Sequence, residues 1–464
     1  MKKYKSNLLL IFISIIVITI FSESSFLYKL NPWSDLNIYL TIGRDILSGG
    51  KLYTGLFDHK GPILYFLYTL VALLCKHSYF GVYLLEVICL FLFLYYSNKI
   101  LLLFSQKNHL LFLTCVAVVI FTSKAFSYGG GSVEELFLPI FQYTNYICLN
   151  KMTKNESFAP KECILIGILA CISFLTKFTL CGYFLGVAIC LVIYQYKTNK
   201  SKVISCILYT LVSFTIIFGV TCLYFVISHN INDFIQTYFA FNLNNYKTPS
   251  TFSNRIKPML SVILWYSKKS FILVPLSIIS LFYSFIYFKK SYTALFILTT
   301  SICWFFVTFV GCKFIAYYIL PIAIYSIYLV LFLDKYKYSH VILVALCIVS
   351  TITSSNIKDI TRDSYVQYEF SDIIGDSSML VYKGYDQGFY MTSHTTPACK
   401  YFTTTNGWLP NYEEDTLSCI NENEIEYLIS MDNELGLDNY ELVKEVVQEY
   451  DYRDRTYRLY KRIK

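Results

Sequence analysis

The stretch from Leu56 to Tyr65 reads LFDHKGPILY and places an acid, an imidazole and an ammonium group directly before an apolar run. The run opens at Pro62, and proline suits the first turn of a helix. Because a helix N-terminus carries partial positive charge, it would form an anion site with Lys60 for a phosphate held at membrane level. Asp58 would tune Lys60 or orient His59. The alternative is a lysine that extends to lipid headgroups, as is usual at a helix end.

A second group of polar residues lies upstream, in SDLNIYLTIGRDILSGG. Asp35, Tyr39 and Ile42 share one face of a predicted short amphipathic helix by their i, i+4, i+7 spacing. Arg44 follows before the glycine pair that ends this helix. Asp35 could accept a proton as a general base. The alternative is a capping role, since Ser34 or Asp35 would also cap the helix well.

The composition identifies the setting of these residues as a membrane. The chain is 55% hydrophobic with a mean hydropathy of +0.49, and only 15% of it is charged, against roughly 25% in soluble domains. The net charge of +8 combines 28 Lys+Arg and 11 Asp+Glu in residues 1–353 with 11 and 20 in residues 354–464. A basic membrane part therefore carries an acidic tail, and no nucleic-acid partner is indicated.

Apolar runs long enough to cross a bilayer recur along residues 1–353, since a spanning helix needs about 20 apolar residues. Eleven spans are predicted, near residues 7–22, 79–97, 109–126, 135–150, 163–177, 179–195, 203–228, 269–288, 291–310, 314–333 and 338–353. The run 62–76 reaches only about 21 Å as a helix. We therefore interpret it as an interfacial or re-entrant helix.

The placement of lysine supports this count. With the N-terminus inside and residues 62–76 not crossing, the short lysine-bearing loops all fall in the cytoplasm, as the positive-inside rule expects. The loop 23–61, the segment 229–268 and the tail then lie outside. No small-residue cleavage site follows 7–22, so this run is predicted to remain as the first helix.

The tail, residues 354–464, is predicted to form a small extracytoplasmic α/β domain. The runs SMLVYKG, IEYLIS and RTYRLYKR suggest strands, and NYELVKEVVQEY suggests a helix. Cys399 and Cys419 are the cysteines of the tail, and a disulfide between them could persist outside the membrane. The alternative is that they pack as apolar residues, which is how we interpret most of the other thirteen cysteines.

The first loop resembles that of the GT-C membrane glycosyltransferases, in the bacterial branch of protein O-mannosyltransferases and aminoarabinose transferases (glycosyltransferase family 39). The resemblance rests on the order Asp35, Tyr39, Gly43-Arg44, then Gly and Tyr, and Asp58-His59-Lys60. GGGSVEELF, GILACISFLTKFT and KFIAYYILP resemble further elements of that family. Order is preserved over roughly residues 1 to 330. Gly61 replaces a proline of the pattern, and Glu134 stands where relatives often have aspartate.

The resemblance implies an α-helical polytopic GT-C fold of about 11 transmembrane helices with an interfacial helix. It also implies inverting transfer of a sugar from a polyprenyl phosphate to an extracytoplasmic glycan, lipid or protein, at the outer face of a bacterial cell membrane. Many relatives modify cell-wall polymers. Asp35 would then be the base and Lys60 the ligand of the donor phosphate. No GxxxxGK[ST] and no GxGxxG after a strand is present in the sequence, which fits a lipid-carried donor.

Other candidate substrate-binding residues stand at predicted external helix ends or in the first loop. They are Tyr39, Arg44, Asp58, His59, Glu134, Glu135, Lys177, Lys313, Tyr317 and Tyr318. Acids at helix starts and tyrosines at membrane interfaces are common, so structural roles remain the alternative. Asp35 and Asp58 are candidate ligands of a divalent metal ion, and the sequence leaves the need for one open.

Two other functions compete with the transferase. A transporter or flippase of lipid-linked sugars would also need cations near a lipid phosphate, but should show charge at the bilayer midplane or paired broken helices in two halves. Here the charges gather at one predicted face, and the sequence shows no internal repeat. A non-catalytic subunit for polymer assembly is the third possibility.

Overall fold

The computed structural model describes residues 2–126, 129–244, 251–354, 364–404, 409, 411–450 and 453–463. Its α-helices are, in chain order, α1 (Lys2–Phe21), α2 (Ser34–Leu47), α3 (Pro62–Leu74), α4 (Phe80–Phe104), α5 (Leu110–Thr122), α6 (Val133–Thr153), α7 (Pro160–Phe174), α8 (Cys181–Thr198), α9 (Val203–Ile227), α10 (Ile231–Phe234), α11 (Phe241–Asn244), α12 (Phe252–Lys269), α13 (Leu273–Tyr287), α14 (Tyr292–Phe309), α15 (Ala323–Ser326), α16 (Leu329–Leu333), α17 (Ser339–Ile352), α18 (Val366–Ile374), α19 (Phe389–Thr392) and α20 (Tyr412–Glu422). The strands are β1 (Met379–Val381), β2 (Tyr427–Met431), β3 (Tyr440–Tyr450) and β4 (Arg453–Arg462). Short 3₁₀ turns occur at Phe178–Leu180, Lys200–Lys202 and Ala316–Ile322, and a π-helix at Ile235–Ala240.

The predicted apolar runs are helical, but their lengths differ from the prediction. Among the described residues, four helices are long and apolar enough to cross a membrane by length and composition: Phe80–Phe104, Phe178–Thr198, Lys200–Ile227 and Tyr292–Phe309. Shorter apolar helices account for most of the other predicted spans. The predicted span 314–333 is a 3₁₀ turn followed by α15 and α16. Pro321, which lacks a backbone N–H, lies inside that turn.

Helix α3 matches the predicted interfacial helix. It has 13 residues, Gly61 precedes it as an N-cap with extended backbone, and Pro62 is its first residue. At a rise of 1.5 Å per residue it is about 20 Å long, against a hydrocarbon core of about 30 Å. It is therefore too short to span a bilayer unaided.

The chain divides into two compact units. The first comprises Met1–Leu27, Val82–Thr221 and Thr248–Ile357. Within it, α8 packs closely on α14, because Gly182 and Gly186 leave room for the backbone of α14. An added Cβ at Gly186 would lie 2.4 Å from the Thr299 carbonyl oxygen. Small residues spaced four apart commonly bring membrane helices together in this way.

The second unit comprises Tyr28–Gly81, Cys222–Lys247 and Lys358–Lys464. It joins most of the predicted first loop to the predicted tail domain. Helices α2 and α3 pack on each other, and α19 of the tail packs on α2. The tail holds a four-stranded sheet of order β1-β2-β4-β3, in which β1 and β2 are parallel and the other pairs antiparallel.

The predicted helix NYELVKEVVQEY is wrong, because this run forms strand β3. It pairs along its length with β4, from Tyr440 opposite Arg462 to Tyr450 opposite Arg453. Cross-strand contacts such as the ion pair from Arg458 Nε to Glu445 Oε2, at 2.6 Å, add to this pairing. Pairing with the strand that follows has overridden a local composition that favours helix.

The two cysteines of the tail form a disulfide. Cys399 and Cys419 have Cα atoms 5.8 Å apart and are bonded through their sulfurs. The bond ties the segment before residue 400 to helix α20. The hypothesis of a disulfide is confirmed, and the alternative of two packed thiols is wrong.

Candidate active site

Helix α2 positions Asp35 in its first turn. The helix begins at Ser34, and Trp33 is its N-cap without a side-chain capping bond. Neither Ser34 nor Asp35 is therefore the N-cap. The Tyr39 hydroxyl donates to Asp35 Oδ2 at 3.3 Å, so these two residues share one face of the helix, as the spacing predicted. Asp35 is half-buried, which leaves part of its carboxylate accessible.

The close packing of α2 on α3 depends on Gly43. An added Cβ at this position would lie 2.7 Å from the Tyr68 carbonyl carbon and oxygen, closer than real contacts allow. Below this crossing, the Tyr39 ring makes edge contacts with Tyr65 and Tyr68, at centroid distances of 6.3 and 5.3 Å. A glycine inside a helix costs stability, and here it allows the helix that carries Asp35 to approach α3.

Asp58, His59 and Lys60 form a contact series just before α3. His59 Nδ1 lies 3.2 Å from Asp58 Oδ1, and Lys60 Nζ lies 3.4 Å from His59 Nε2. The Tyr65 hydroxyl donates to Asp58 Oδ2 at 2.6 Å and accepts from Lys60 N at 3.1 Å. The Tyr53 hydroxyl donates to the Lys60 carbonyl at 2.7 Å. Neither tyrosine could be predicted from the sequence, because single tyrosines carry little signal among 43.

The charges of this series favour an ionised Asp58 and a neutral His59. Burial raises the pKa of Asp58, but the Lys60 ammonium and the contacts with His59 outweigh it, so the pKa lies well below its ordinary value. Burial and the Lys60 charge lower the pKa of His59, against the opposing effect of Asp58. The carboxylate of Asp35 also acts on His59, raising its pKa. The candidate base thus lies within electrostatic reach of His59.

The segment around α10 and α11 contacts the loop between α2 and α3. Asn242 Nδ2 donates to the His59 carbonyl at 2.7 Å, and the Phe241 ring lies 5.2 Å from the His59 ring. Asn230 Nδ2 donates to the Leu52 carbonyl at 2.9 Å. The sequence predicted only that this segment lies outside the membrane, and no motif pointed to Asn242.

Arg44 lies buried against the tail. Its guanidinium donates to the Tyr390 carbonyl and to Thr41 Oγ1, both at 3.2 Å. Burial raises the pKa of nearby Asp386 to about 6, although Arg44 and the backbone N–H groups of residues 388 and 389 oppose this. These contacts attach the tail to α2. A substrate-binding role for Arg44 stays a prediction.

The tail also brings a tyrosine near Asp35. Burial raises the pKa of Tyr385, and the charge of Asp35 raises it further. Tyr385 lines a cavity of about 460 Å³ together with Tyr382, Tyr412 and Arg455. Aromatic rings interspersed with a few polar groups are common in small-molecule sites. No local pattern in the tail sequence marks these residues, because they meet only when the sheet has formed.

Four of the candidate substrate-binding residues, from three segments far apart in the sequence, lie together in the first unit. Lys177 Nζ forms an ion pair with Glu134 Oε1, and both side chains are buried. The same Nζ atom lies 4.1 Å from the Tyr318 ring centroid and 5.0 Å from that of Tyr317. Glu134 Oε2 is buried without a hydrogen-bond partner among the described residues. The structure thus brings together candidates that lie in separate motifs of the sequence, and their binding role stays a prediction.

The remaining two candidates are separate. Glu135 lies in a capping arrangement, in which its backbone N–H donates to Ser132 Oγ at 3.2 Å and its Oε2 accepts from Gly131 N at 3.0 Å. This matches the structural alternative for an acid at a helix start. Lys313 is half-buried on the segment before the 3₁₀ turn at Ala316–Ile322. No substrate contact is implied for either by these positions.

The described residues do not form a suitable site for a divalent metal ion. In the part of the chain that the structure describes, no three His, Cys, Asp or Glu side chains gather as a metal site. Asp58 is buried, with one carboxylate oxygen facing His59 and the other bonded to Tyr65. A cation at Asp58 would have to replace one of these contacts. We derive no step through a metal ion.

Comparisons with known proteins define the fold. The sequence matches no family model and no curated protein. The structure is similar to the crystal structure of ArnT from Cupriavidus metallidurans bound to undecaprenyl phosphate, with a TM-score of 0.59 and 10% identity over 97% of each chain. ArnT is an aminoarabinose transferase of the GT-C class. At this identity the likeness establishes the fold, and the GT-C resemblance of the sequence is confirmed at that level. With its apolar helices, this fold is that of a membrane protein.

Proposed function

We propose that this chain is an inverting GT-C glycosyltransferase that moves a sugar from a polyprenyl phosphate to an extracytoplasmic glycan, lipid or protein. The observation that carries the proposal is a series of contacts within one compact unit: Tyr39 donates to Asp35, its ring packs against that of Tyr65, and Tyr65 donates to Asp58 of the Asp58-His59-Lys60 series. The ArnT fold supports a lipid-linked donor, because that structure was bound to undecaprenyl phosphate.

The proposed reaction is a single displacement. The acceptor hydroxyl loses its proton to Asp35 and attacks the anomeric carbon of the donor from the side opposite to the phosphate. The bond between that carbon and the phosphate oxygen breaks, and the phosphate keeps the electron pair. Lys60 and the N-terminus of α3 stabilise the charge on the departing polyprenyl phosphate. Inversion at the anomeric carbon follows from one attack without a covalent intermediate.

Asp58 and His59 are positioning residues in this scheme. A neutral His59, whose Nδ1 lies 3.2 Å from Asp58 Oδ1, presents a lone pair on Nε2 to the Lys60 ammonium. This contact holds the ammonium near the start of α3. The buried hydroxyl of Tyr65 fixes Asp58 in turn. Any role of a divalent ion is a separate proposal, for which loss of activity on chelation and recovery on adding Mg²⁺ would be the test.

We place the site on the extracytoplasmic face of a multi-pass protein of a bacterial cell membrane. The distribution of lysine supports this orientation, and so does a disulfide in the tail, since disulfides persist mainly outside the cytosol. Eleven crossings require the shorter apolar helices to span as well. Local thinning of the bilayer and extended flanking side chains would accommodate them.

The test is product formation by the purified protein with a panel of polyprenyl-phosphate sugars. We expect free polyprenyl phosphate to appear in step with glycosylated acceptor. Lys60→Ala should lower both the catalytic rate and donor affinity, because Lys60 interacts more strongly as charge develops. Lys60→Arg should recover only part of this loss. Lys51→Ala is the matched control, since Lys51 is an exposed lysine of the same loop.

A flippase gives a different result in the same assay. It would translocate the lipid-linked sugar without releasing polyprenyl phosphate. Translocation without release would therefore exclude the transferase. Neither translocation nor release, for every donor of the panel, would favour the non-catalytic subunit.

A further inference from the structure

A cationic cavity lies in the first unit, away from the sequence motifs described above. It has a volume of about 330 Å³ and adjoins the C-terminal ends of α5, α12 and α17 and the N-terminal end of α13. Its lining includes Lys124, Lys268 and Lys269, with hydroxyl groups from residues 122, 123, 270, 350 and 353. Among the described residues that line it, none is acidic. Three ammonium groups and several hydroxyls make this a site for an anion.

The Ser270 hydroxyl is an independent indication that the cavity binds a ligand. Its side chain is buried, at 3% exposure, and its Oγ atom has no hydrogen-bond partner among the described residues. Burying an unpaired hydroxyl is costly, so such a group normally has a partner. The residue lines the cavity, where an anionic oxygen could accept its proton.

The start of α13 also faces the cavity. Its N-cap is Ile272, and in its first turn Val274 N donates to the Ser270 carbonyl at 3.1 Å while Pro275 has no N–H, so the helix contributes mainly the positive end of its dipole. Ser270, Ile272 and Leu273 all line the cavity. A helix N-terminus favours negative charge, and here it adjoins the lysines and the unpaired hydroxyl. The C-terminal ends of α5, α12 and α17 oppose an anion, but each carries only a partial negative charge, and three full positive charges lie beside them.

An apolar slot continues from the same helices. It is lined by Phe112, Val116, Leu276, Leu343 and Leu346, among others, and Leu273 lines both the slot and the cationic cavity. The slot is narrow, at about 30 Å³, so a hydrocarbon chain would have to displace some of these side chains. A polar cavity and an apolar slot on the same three helices match the two parts of a lipid.

We propose that this cavity binds a lipid with an anionic phosphoryl headgroup, at a site built from other residues than those that would hold the donor. Lys268 and Lys269 bind the phosphoryl oxygens, Ser270 donates a hydrogen bond, and the hydrocarbon chain follows the slot between α5, α13 and α17. A lysine that only extends to bulk headgroups would explain neither the buried, unpaired Ser270 hydroxyl nor the cavity beside it.

Native mass spectrometry of the full chain in detergent tests this proposal. Phosphatidylglycerol would be titrated against phosphatidylcholine with the same acyl chains, and inorganic phosphate and glycerol 3-phosphate would be added as competitors. The variants are Lys268→Gln/Lys269→Gln, Ser270→Ala, and the charge-preserving Lys268→Arg/Lys269→Arg. The control is Lys289→Gln/Lys290→Gln, which removes two exposed lysines just after the other end of α13. Thermal unfolding would show which variants remain folded.

We expect phosphatidylglycerol to bind in preference to phosphatidylcholine. The double Gln variant should weaken binding by about tenfold or more, since each lysine contributes to attraction of an anionic lipid. Ser270→Ala should weaken binding less, whereas the double Arg variant and the control should bind like the wild type. Equal loss in the control would overturn the proposal, because it would show attraction by net charge alone. Displacement of the lipid by millimolar phosphate would overturn the lipid assignment and indicate a site for a free anion.

Discussion

The Nε2 atom of His59 lies 3.4 Å from the Nζ atom of Lys60, while the other ring nitrogen lies 3.2 Å from an oxygen of Asp58. A doubly protonated imidazole could not accept from an ammonium group. The lowered pKa of His59 therefore fits the geometry, because a neutral ring can face Lys60 on one side and Asp58 on the other. This arrangement explains why an acid, an imidazole and an ammonium group are adjacent in the sequence.

Replacing Asp35 by Asn should separate catalysis from folding. If Asp35 is the base, activity should fall by about 10² to 10⁴-fold. The melting temperature should stay close to that of the wild type, because Asp35 is not the N-cap and is half-exposed. Tyr39→Phe, which removes the hydroxyl that contacts Asp35, is the control and should lose much less activity. Near-normal turnover of the Asn variant would contradict the assignment.

His59 should make folding stability depend on pH. Its pKa is lowered in the folded protein, so below pH of about 6.5 the unfolded chain binds the proton more readily. The contribution of this residue is thus present above that pH and lost as pH falls. We expect the melting temperature of the wild type to decrease more between pH 7.5 and 5.5 than that of His59→Gln. His340→Gln, at an exposed position, should behave like the wild type.

The Glu134–Lys177 pair can be tested as a structural ion pair against a binding site. Lys177→Met would leave a buried carboxylate unpaired, which typically costs about 3–5 kcal/mol of stability. The double variant Glu134→Gln/Lys177→Met should recover much of this stability. Lys461→Met, at an exposed pair with Glu426, should change it little. If activity stays lost in the stable double variant, the pair also serves substrate binding.

The first loop shows how far the sequence could predict the site. The spacing of Asp35 and Tyr39 on one helical face follows from local geometry, and the structure has it. The close packing of α2 on α3 could not be predicted in this way, because it depends on a contact of Gly43 with backbone 25 residues away. The supporting groups Tyr65, Asn242 and Tyr385 also come from other elements, and no local pattern marks them.

In the tail, local sequence predicts some strands but not their pairing. Strand-like runs at β1, β2 and β4 were recognised from β-branched and aromatic residues, whereas β3 was predicted as a helix. Its charged, alternating sequence suits an exposed edge strand equally well, and only the partner β4 decides between them. The contact between Arg44 and the Tyr390 carbonyl joins residues 346 positions apart, beyond any spacing argument.

The disulfide should form in protein whose tail lies outside the cytoplasm. Peptide mapping of non-reduced protein is expected to yield a fragment that links Cys399 to Cys419. Its removal by Cys399→Ser/Cys419→Ser should cost about 3 kcal/mol for a loop of this length. Free thiols at both positions in protein isolated under oxidising conditions would contradict this prediction.

Membrane orientation decides whether the proposed site faces the donor pool outside the cytoplasm. With α3 at the interface, a membrane-impermeant thiol reagent added outside intact cells should label new cysteines at Lys51 and Glu413, but not at Asn155 or Thr198. All four positions are exposed on the protein surface, so lack of labelling would reflect the membrane rather than burial. The unmodified chain, with its thirteen free cysteines, provides the background. Labelling of Asn155 from outside would mean that residues 62–76 cross the bilayer. Each later loop would then change sides, and the lysine-rich loops would lie outside, against the tendency of such loops to remain in the cytoplasm.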